Sequence, residues 1–192
     1  MTATDNFEKV TVTSSAELRA WLEANHEQDN SVWLVTYKKH MNEKYVSTEQ
    51  ILDEVLCFGW IDGIRRKLDD DRTMQLIAPR KTQHWAKSYK DRVARLEAEG
   101  RMHPAGLKVI EESKQNGLWT FMDDVDALIM PDDLVEALQE QPPAFENFEA
   151  AAPSYRRNVL RWIKLAKKPA TRTKRIHKTA TTSAAGEKIP QM

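Results

Sequence analysis

The sequence predicts an α+β fold: a small antiparallel β-sheet with packed helices, followed by a C-terminal helical subdomain. Three observations predict it. Ser31–Lys38 (SVWLVTYK) is dense in β-branched and aromatic residues, with apolar groups on both faces. Trp60–Leu68 and Arg72–Ala78 flank the turn-forming run Asp69-Asp70-Asp71, as two hairpin strands would. Beyond Pro79, apolar residues recur at helical spacing between prolines and glycines, with no further strand pattern. The expected division is a sheet subdomain over 1–80, a helical subdomain over 81–180 and a flexible tail over 181–192, one compact domain overall.

Residues 1–6 read as a frayed end. Phe7–Thr13 alternates and fits either a short strand or an extended arm. Ser14 with Glu17 forms a capping-box pattern, after which Leu18, Trp21 and Leu22 share a helical face as far as about Asn25. Ser31–Lys38 reads as a central strand and 39–46 as a loop. Ser47 with Gln50 starts a second helix, carrying Ile51, Val55 and Phe58 on one face, and Gly59 is its natural left-handed stop. After the hairpin, Trp85, Tyr89, Val93 and Leu96 keep helical spacing up to Gly100. Pro104 opens the next helix, with Leu107 and Ile110 expected inward. Leu118–Met122 is a linker in which Trp119 and Phe121 look buried. Helices are expected from Pro131, after Pro142-Pro143, from Pro153 and from Pro169, the last fading into a polar tail.

The chain has 192 residues and balances 29 basic against 29 acidic side chains, which excludes a strongly basic nucleic-acid binder by bulk charge but leaves room for a local patch. A single cysteine, Cys57, allows no intramolecular disulfide and fits a reducing compartment. No basic-then-apolar leader pattern opens the chain, and no run reaches the roughly 18 apolar residues of a membrane span. A cytoplasmic protein without membrane insertion is expected. No two of the five histidines stand four apart and none is near the cysteine, so no metal site is expected. With six glycines and no glycine-rich loop, no nucleotide cofactor is expected either.

The chemistry concentrates at the end of the second helix. Strict strand alternation puts Trp60, Asp62 and Ile64 on one side and Ile61, Gly63 and Arg65 on the other, so Arg65 should point away from Asp62. The return strand can bring Arg72 or Gln75 to Asp62. A carboxylate between an aromatic and a base serves as a general base or ligand anchor, or as a structural pair pinning the junction. After the sheet, Arg80, Lys81, His84, Trp85 and Lys87 form a basic-aromatic cluster. There Arg80 suits an anion with Trp85 as its wall, or Trp85 is core with Arg80 around it. Charge is also segregated along the chain. Nine acidic residues and no Lys or Arg lie between Phe121 and Ala152, then ten basic residues and no Asp or Glu between Arg156 and Lys178. Adjacent helices of opposite charge either dock on one another or present a basic surface to phosphates.

Leu56-Cys57-Phe58-Gly59-Trp60-Ile61-Asp62-Gly63 resembles the signature of the YdeI/OmpD-associated family, also called bacteriocin-protection proteins. Ala78-Pro79-Arg80-Lys81 with Trp85, Arg92–Gly106, Pro153–Arg157, Arg161-Trp162-Ile163 and Ala166–Arg172 extend the resemblance over roughly residues 15–180. This chain departs from the family pattern at Thr82-Gln83-His84 and Ser88-Tyr89-Lys90. The resemblance implies a role in resistance to bacteriocins, antimicrobial peptides or envelope stress, and a link to an outer-membrane porin that a cytoplasmic location would make indirect. It supplies no catalytic residue set.

The expectation is therefore a non-enzymatic protein that binds a small ligand or peptide in a groove at Trp60, Asp62, Arg65, Arg80 and Trp85, extended by Arg156 and Arg157. Two alternatives remain: a nucleic-acid binder using Arg156–Lys178, and an enzyme with Asp62 as acid or base.

Overall fold

The computed structural model describes residues 6–190. The frayed end expected at residues 1–6 lies, apart from Asn6, outside the described residues. The chain divides into two contact units, Met1–Thr120 and Phe121–Met192.

The first unit holds a four-stranded sheet in the order β1-β2-β4-β3, with β1 at Lys9–Thr11, β2 at Val32–Tyr37, β3 at Trp60–Lys67 and β4 at Arg72–Pro79. The pairs β2–β4 and β4–β3 are antiparallel, as predicted, and β2 is central. Phe7–Thr13 resolves as the strand alternative, but β1 joins β2 in parallel. Helix α1 (Ser15–Asn25) makes the crossover that such a parallel pair requires. The Ser14 side chain accepts from the Glu17 amide, while the Glu17 carboxylate turns back to Thr13.

Helix α2 (Thr48–Cys57) begins with the full reciprocal capping box of Ser47 and Gln50 and ends before Gly59, whose φ of 74° is left-handed. Its apolar face packs with α1 and the sheet in a core that includes Leu18, Leu34, Ile51, Trp60 and Ile77. Helices α3 (Lys87–Ala98) and α4 (Pro104–Gln115) add Val93, Leu96 and Ile110 to that same core. The boundary expected at residue 80 thus falls inside the first unit, between β4 and α3.

One inward residue of α4 differs from expectation. Leu107 is 42% exposed, and the buried positions are Gly106, Ile110 and Ser113. A Cβ on Gly106 would lie 2.2 Å from the Cys57 carbonyl oxygen. The missing side chain lets α4 cross the end of α2 backbone to backbone, and that contact sets the helix rotation that turns Leu107 outward. In the linker, Trp119 is half-buried against the first core, whereas Phe121 is exposed and Met122 is the buried residue.

The second unit is helical: α5 (Asp123–Asp126), α6 (Asp132–Gln139), α7 (Ala144–Glu149), α8 (Pro153–Lys164) and α9 (Pro169–Ala184). Leu134, Leu138, Phe148, Val159 and Ile163 form its core. The short α5 has no counterpart in the sequence reading. The tail expected from residue 181 begins as the last turn of α9, and Ile189 is buried, its amide donating to the Tyr155 hydroxyl at 3.0 Å. The opposite charges meet across this unit. Arg172 holds both oxygens of Asp133 at 2.7 Å, and Lys164 reaches Asp124 at 2.5 Å. Among the described residues no helix is long and apolar enough to cross a membrane.

Candidate functional site

A cavity of about 630 Å³ opens in the first unit where four chain segments end or begin. The loop after α1 contributes His26 and Gln28, the α2–β3 junction Phe58 and Trp60, the end of β4 Arg80, and the first half of α4 Lys108 and its neighbours. Gly59 makes this convergence feasible. Its left-handed turn feeds β3 directly, its carbonyl accepts from the Arg80 amide at 3.0 Å, and its Cα sits where a Cβ would be 2.8 Å from the Val109 side chain. Because Trp60 pairs with Pro79, Arg80 is held one residue beyond the indole.

The rear wall is aromatic. Trp60 is buried, donates its indole N–H to the His26 carbonyl at 3.2 Å, and meets Trp21 edge-on. His103 stacks on Phe58 and approaches His26, each with ring centres 4.7 Å apart. His103 Nδ1 accepts from the Ala105 amide, which caps α4. Burial, followed by the neighbouring His26 and Arg19, holds the His103 imidazole below its usual range.

Arg80 is the unusual group. It is only 5% exposed, with its guanidinium 3.9 Å from the Trp85 ring centre and 5.3 Å from that of Tyr89. Nη1 donates to the carbonyls of Gln83 and His84 at 3.2 and 3.3 Å. Nε and Nη2 are buried and have no hydrogen-bond partner among the described residues. Burial pushes the guanidinium down to about 10, with Tyr89 and Asp62 pulling the other way. Trp85 is fully buried, as its core reading required, and its indole N–H is likewise without a partner.

Asp62 and Arg65 correct the alternation argument. Asp62 pairs with Ile77 but Arg65 pairs with Gln75, so one extra residue of β3 is accommodated between them. This bulge returns Arg65 to the side of Asp62. Gln75 bridges them, donating to Asp62 Oδ2 at 3.0 Å and accepting from Arg65 Nη2 at 2.7 Å, while Arg65 Nη1 reaches Thr48. The Tyr89 hydroxyl donates to Asp62 Oδ1 through a short bond. Both carboxylate oxygens are therefore engaged, and Asp62 and Arg65 do not line the cavity. Burial first, and then the bond to Asp62, raise the Tyr89 phenol well above its ordinary value.

Arg156 and Arg157 belong to the second unit. There Arg156 lies over the Phe148 ring and donates to the Glu149 carbonyl, and Arg157 sits 3.7 Å from Asp126. Among the described residues no group of three or more His, Cys, Asp or Glu could hold a metal ion.

Two features escaped the sequence reading. Gln28 lines the cavity with its side-chain nitrogen buried and unpartnered, and nothing in a polar loop announces it. Asp53 and Glu54 are buried on α2 beneath a cluster of arginines. Asp53 accepts from Arg92, from Arg95 at 2.6 Å and from Arg101 at 3.2 Å, and Glu54 accepts from Arg101 at 2.7 Å and Arg19 at 3.0 Å. Burial would raise the Asp53 carboxyl, but the hydrogen bonds from Arg95 and Arg92 hold it below its ordinary value. The available signal was two acids flanked by Ile51 and Val55 in an otherwise apolar helix face.

Residues 10–109 match the family model described as Domain of unknown function (DUF8412), and residues 127–186 match that of Bacteriocin-protection, YdeI or OmpD-Associated. No curated protein and no solved structure matches the chain. The octapeptide Leu56–Gly63, which first suggested the second family, lies within the first match, while the resembling blocks from Pro153 to Arg172 lie within the second. The first match spans just over half of the 192 residues, so the chain belongs to the family described as Domain of unknown function (DUF8412), and its second unit carries the YdeI/OmpD-associated match that the resemblance led us to expect.

Proposed function

We propose that this protein is a non-enzymatic, cytoplasmic binding module that contributes to resistance against bacteriocins, antimicrobial peptides or envelope stress by holding a small ligand or peptide segment in the cavity of its first unit. Any connection to an outer-membrane porin is then indirect. The carrying observation is the cavity itself: about 630 Å³, within the range of small-molecule sites, with an aromatic rear wall and a lining rich in polar and charged residues, Gln28, Arg80 and Lys108 among them. The match of residues 127–186 to a family described as bacteriocin-protection supports the resistance role.

Binding is favoured over catalysis because Asp62, the candidate acid or base, has both oxygens committed to Tyr89 and Gln75 and stands outside the cavity wall. Binding is favoured over nucleic-acid recognition because several cations of the basic run are committed within the second unit. Lys164 pairs with Asp124, Arg172 with Asp133, and Arg175 lies over Trp162.

The test is a fragment screen by thermal melting of the full chain, repeated on Ala105→Trp, which fills the cavity from α4. Stabilisation of the wild type that disappears in a folded Ala105→Trp supports the reading. Stabilisation that survives the plug places binding elsewhere and sinks it. For the resistance role, a susceptible bacterium expressing the wild-type chain should tolerate more of a cationic antimicrobial peptide than one expressing Ala105→Trp. Equal tolerance would separate the cavity from resistance.

A further inference from the structure

We infer that the ligand of this cavity presents an oxyanion, a carboxylate or a phosphate, which Arg80 receives on its Nε–Nη2 edge. This rests on the cavity being the binding site. The inference starts from which two nitrogens are unmet. Nη1 is occupied by the Gln83 and His84 carbonyls, and the two nitrogens left over are those that form one side of the guanidinium fork. That side donates two parallel hydrogen bonds to a carboxylate or phosphate. The protein uses the same edge elsewhere: Arg172 grips Asp133 with Nε and Nη2, each at 2.7 Å. At Arg80 the edge is present and, among the described residues, meets no acceptor.

Leaving that edge empty is costly. A buried guanidinium with no ion pair forgoes hydration, and each orphaned donor adds its own desolvation cost. Two further buried donors lack partners close by. The Trp85 indole N–H belongs to the ring on which the guanidinium lies, and Gln28 Nε2 lines the same cavity wall as Arg80. Orphans in a folded protein are individually rare, and at all three residues the unmet atom is a nitrogen donor. A cation or a neutral hydrogen-bond donor finds no complement in them; an anionic oxygen group does. The outer wall is mixed in charge, with Lys81 held by Asp29 and Lys108 near Glu112, so it does not select an anion by itself. Selection lies with Arg80.

The experiment is a titration of the ¹⁵N-labelled full chain with four probes: benzoate, phenyl phosphate, benzamide and inorganic phosphate. The readouts are the Arg80 Nε–H and Trp85 Nε1–H signals. Benzoate or phenyl phosphate should shift both signals, and benzamide should leave them in place. The stronger of the two acids identifies the oxyanion, and a response to inorganic phosphate as well shows that no organic body is needed. Arg80→Lys keeps the charge and loses the fork, so affinity for the acid should fall about tenfold or more, the loss expected for one charge-assisted bond. If that variant fails to fold, the wild-type Arg80 signal decides alone. Equal binding of benzamide and benzoate with an unmoved Arg80 signal overturns the oxyanion while the cavity remains a binding site. Shifts confined to Lys81 and Lys108 overturn it too. Silence from all four probes along the whole cavity wall counts against both readings.

Discussion

Arginine is partnered in two ways in the first unit. Around Asp53 and Glu54, four arginines (Arg19, Arg92, Arg95 and Arg101) converge on two carboxylates and find acceptors there. At Arg80 a single guanidinium is buried more deeply, against Trp85 and Tyr89, with Nη1 satisfied by carbonyls and the Nε–Nη2 edge by no acceptor among the described residues. The first arrangement is closed: every guanidinium has a carboxylate and both carboxylates have more than one arginine, and the cluster joins α1, α2, α3 and the approach to α4. The second is open: two guanidinium nitrogens find no acceptor among the described residues. The same side chain is thus matched by carboxylates in one place and half-satisfied in the other.

The largest effect should come from breaking the closed cluster. Asp53→Asn removes the buried carboxylate that Arg92, Arg95 and Arg101 share and should cost about 3 kcal/mol by urea unfolding, the low end for a broken buried pair because Arg92 keeps Glu49, Arg95 keeps Glu99 and Arg101 keeps Glu54. A loss below about 1 kcal/mol would erase the contrast with Arg80. Next, Gly106→Ala should cost about 2 kcal/mol, because its Cβ collides with the Cys57 carbonyl and α4 must move. It should also weaken ligand binding with Arg80 untouched, which separates cavity shape from charge.

Arg80→Met sharpens the comparison from the other side. It loses two bonds to carbonyls but removes an unpaired buried charge, so unfolding stability should change by less than about 1.5 kcal/mol, while oxyanion binding is lost. The smallest effect belongs to an exposed pair. Arg172→Ala should lower the stability of the second unit by about 0.5–1 kcal/mol. The hydrogen bond from Arg172 holds the Asp133 carboxyl below its ordinary 3.8. A depressed carboxyl stabilises the fold above that value, and the contribution disappears as pH falls through the folded-state value. Stability against pH should therefore drop below about pH 4 in the wild type and drop less in Arg172→Ala.

What could be read from the chain was local. Ser47 with Gln50, Gly59, Pro104 and the alternation of β2 each encode their structure within a few residues, and each element formed where expected. What could not be read depended on partners far along the chain. The bulge after Asp62 is a property of β3 against β4, and it put Arg65 on the side that alternation denied it. Leu107 was assigned inward by periodicity, yet the close approach permitted by Gly106 set the helix rotation instead. The site followed the same rule. Arg80 and Trp85 could be paired as neighbours in sequence, whereas Gln28 and the first turns of α4 reach the cavity only through the tertiary fold.

The bulge has a further consequence. β3 is an outer strand of its sheet, and eight residues of regular outer strand would offer another chain a template for fibre growth. The extra residue between Asp62 and Arg65 breaks the straight run of backbone groups at its middle, where Ile64 is 51% exposed, and Arg65, Arg66 and Lys67 follow at once. A strand that tried to add there would meet an interrupted register and then a row of like charges. The irregularity that assembles Asp62, Gln75 and Arg65 on one side therefore also interrupts the edge along which another strand would add.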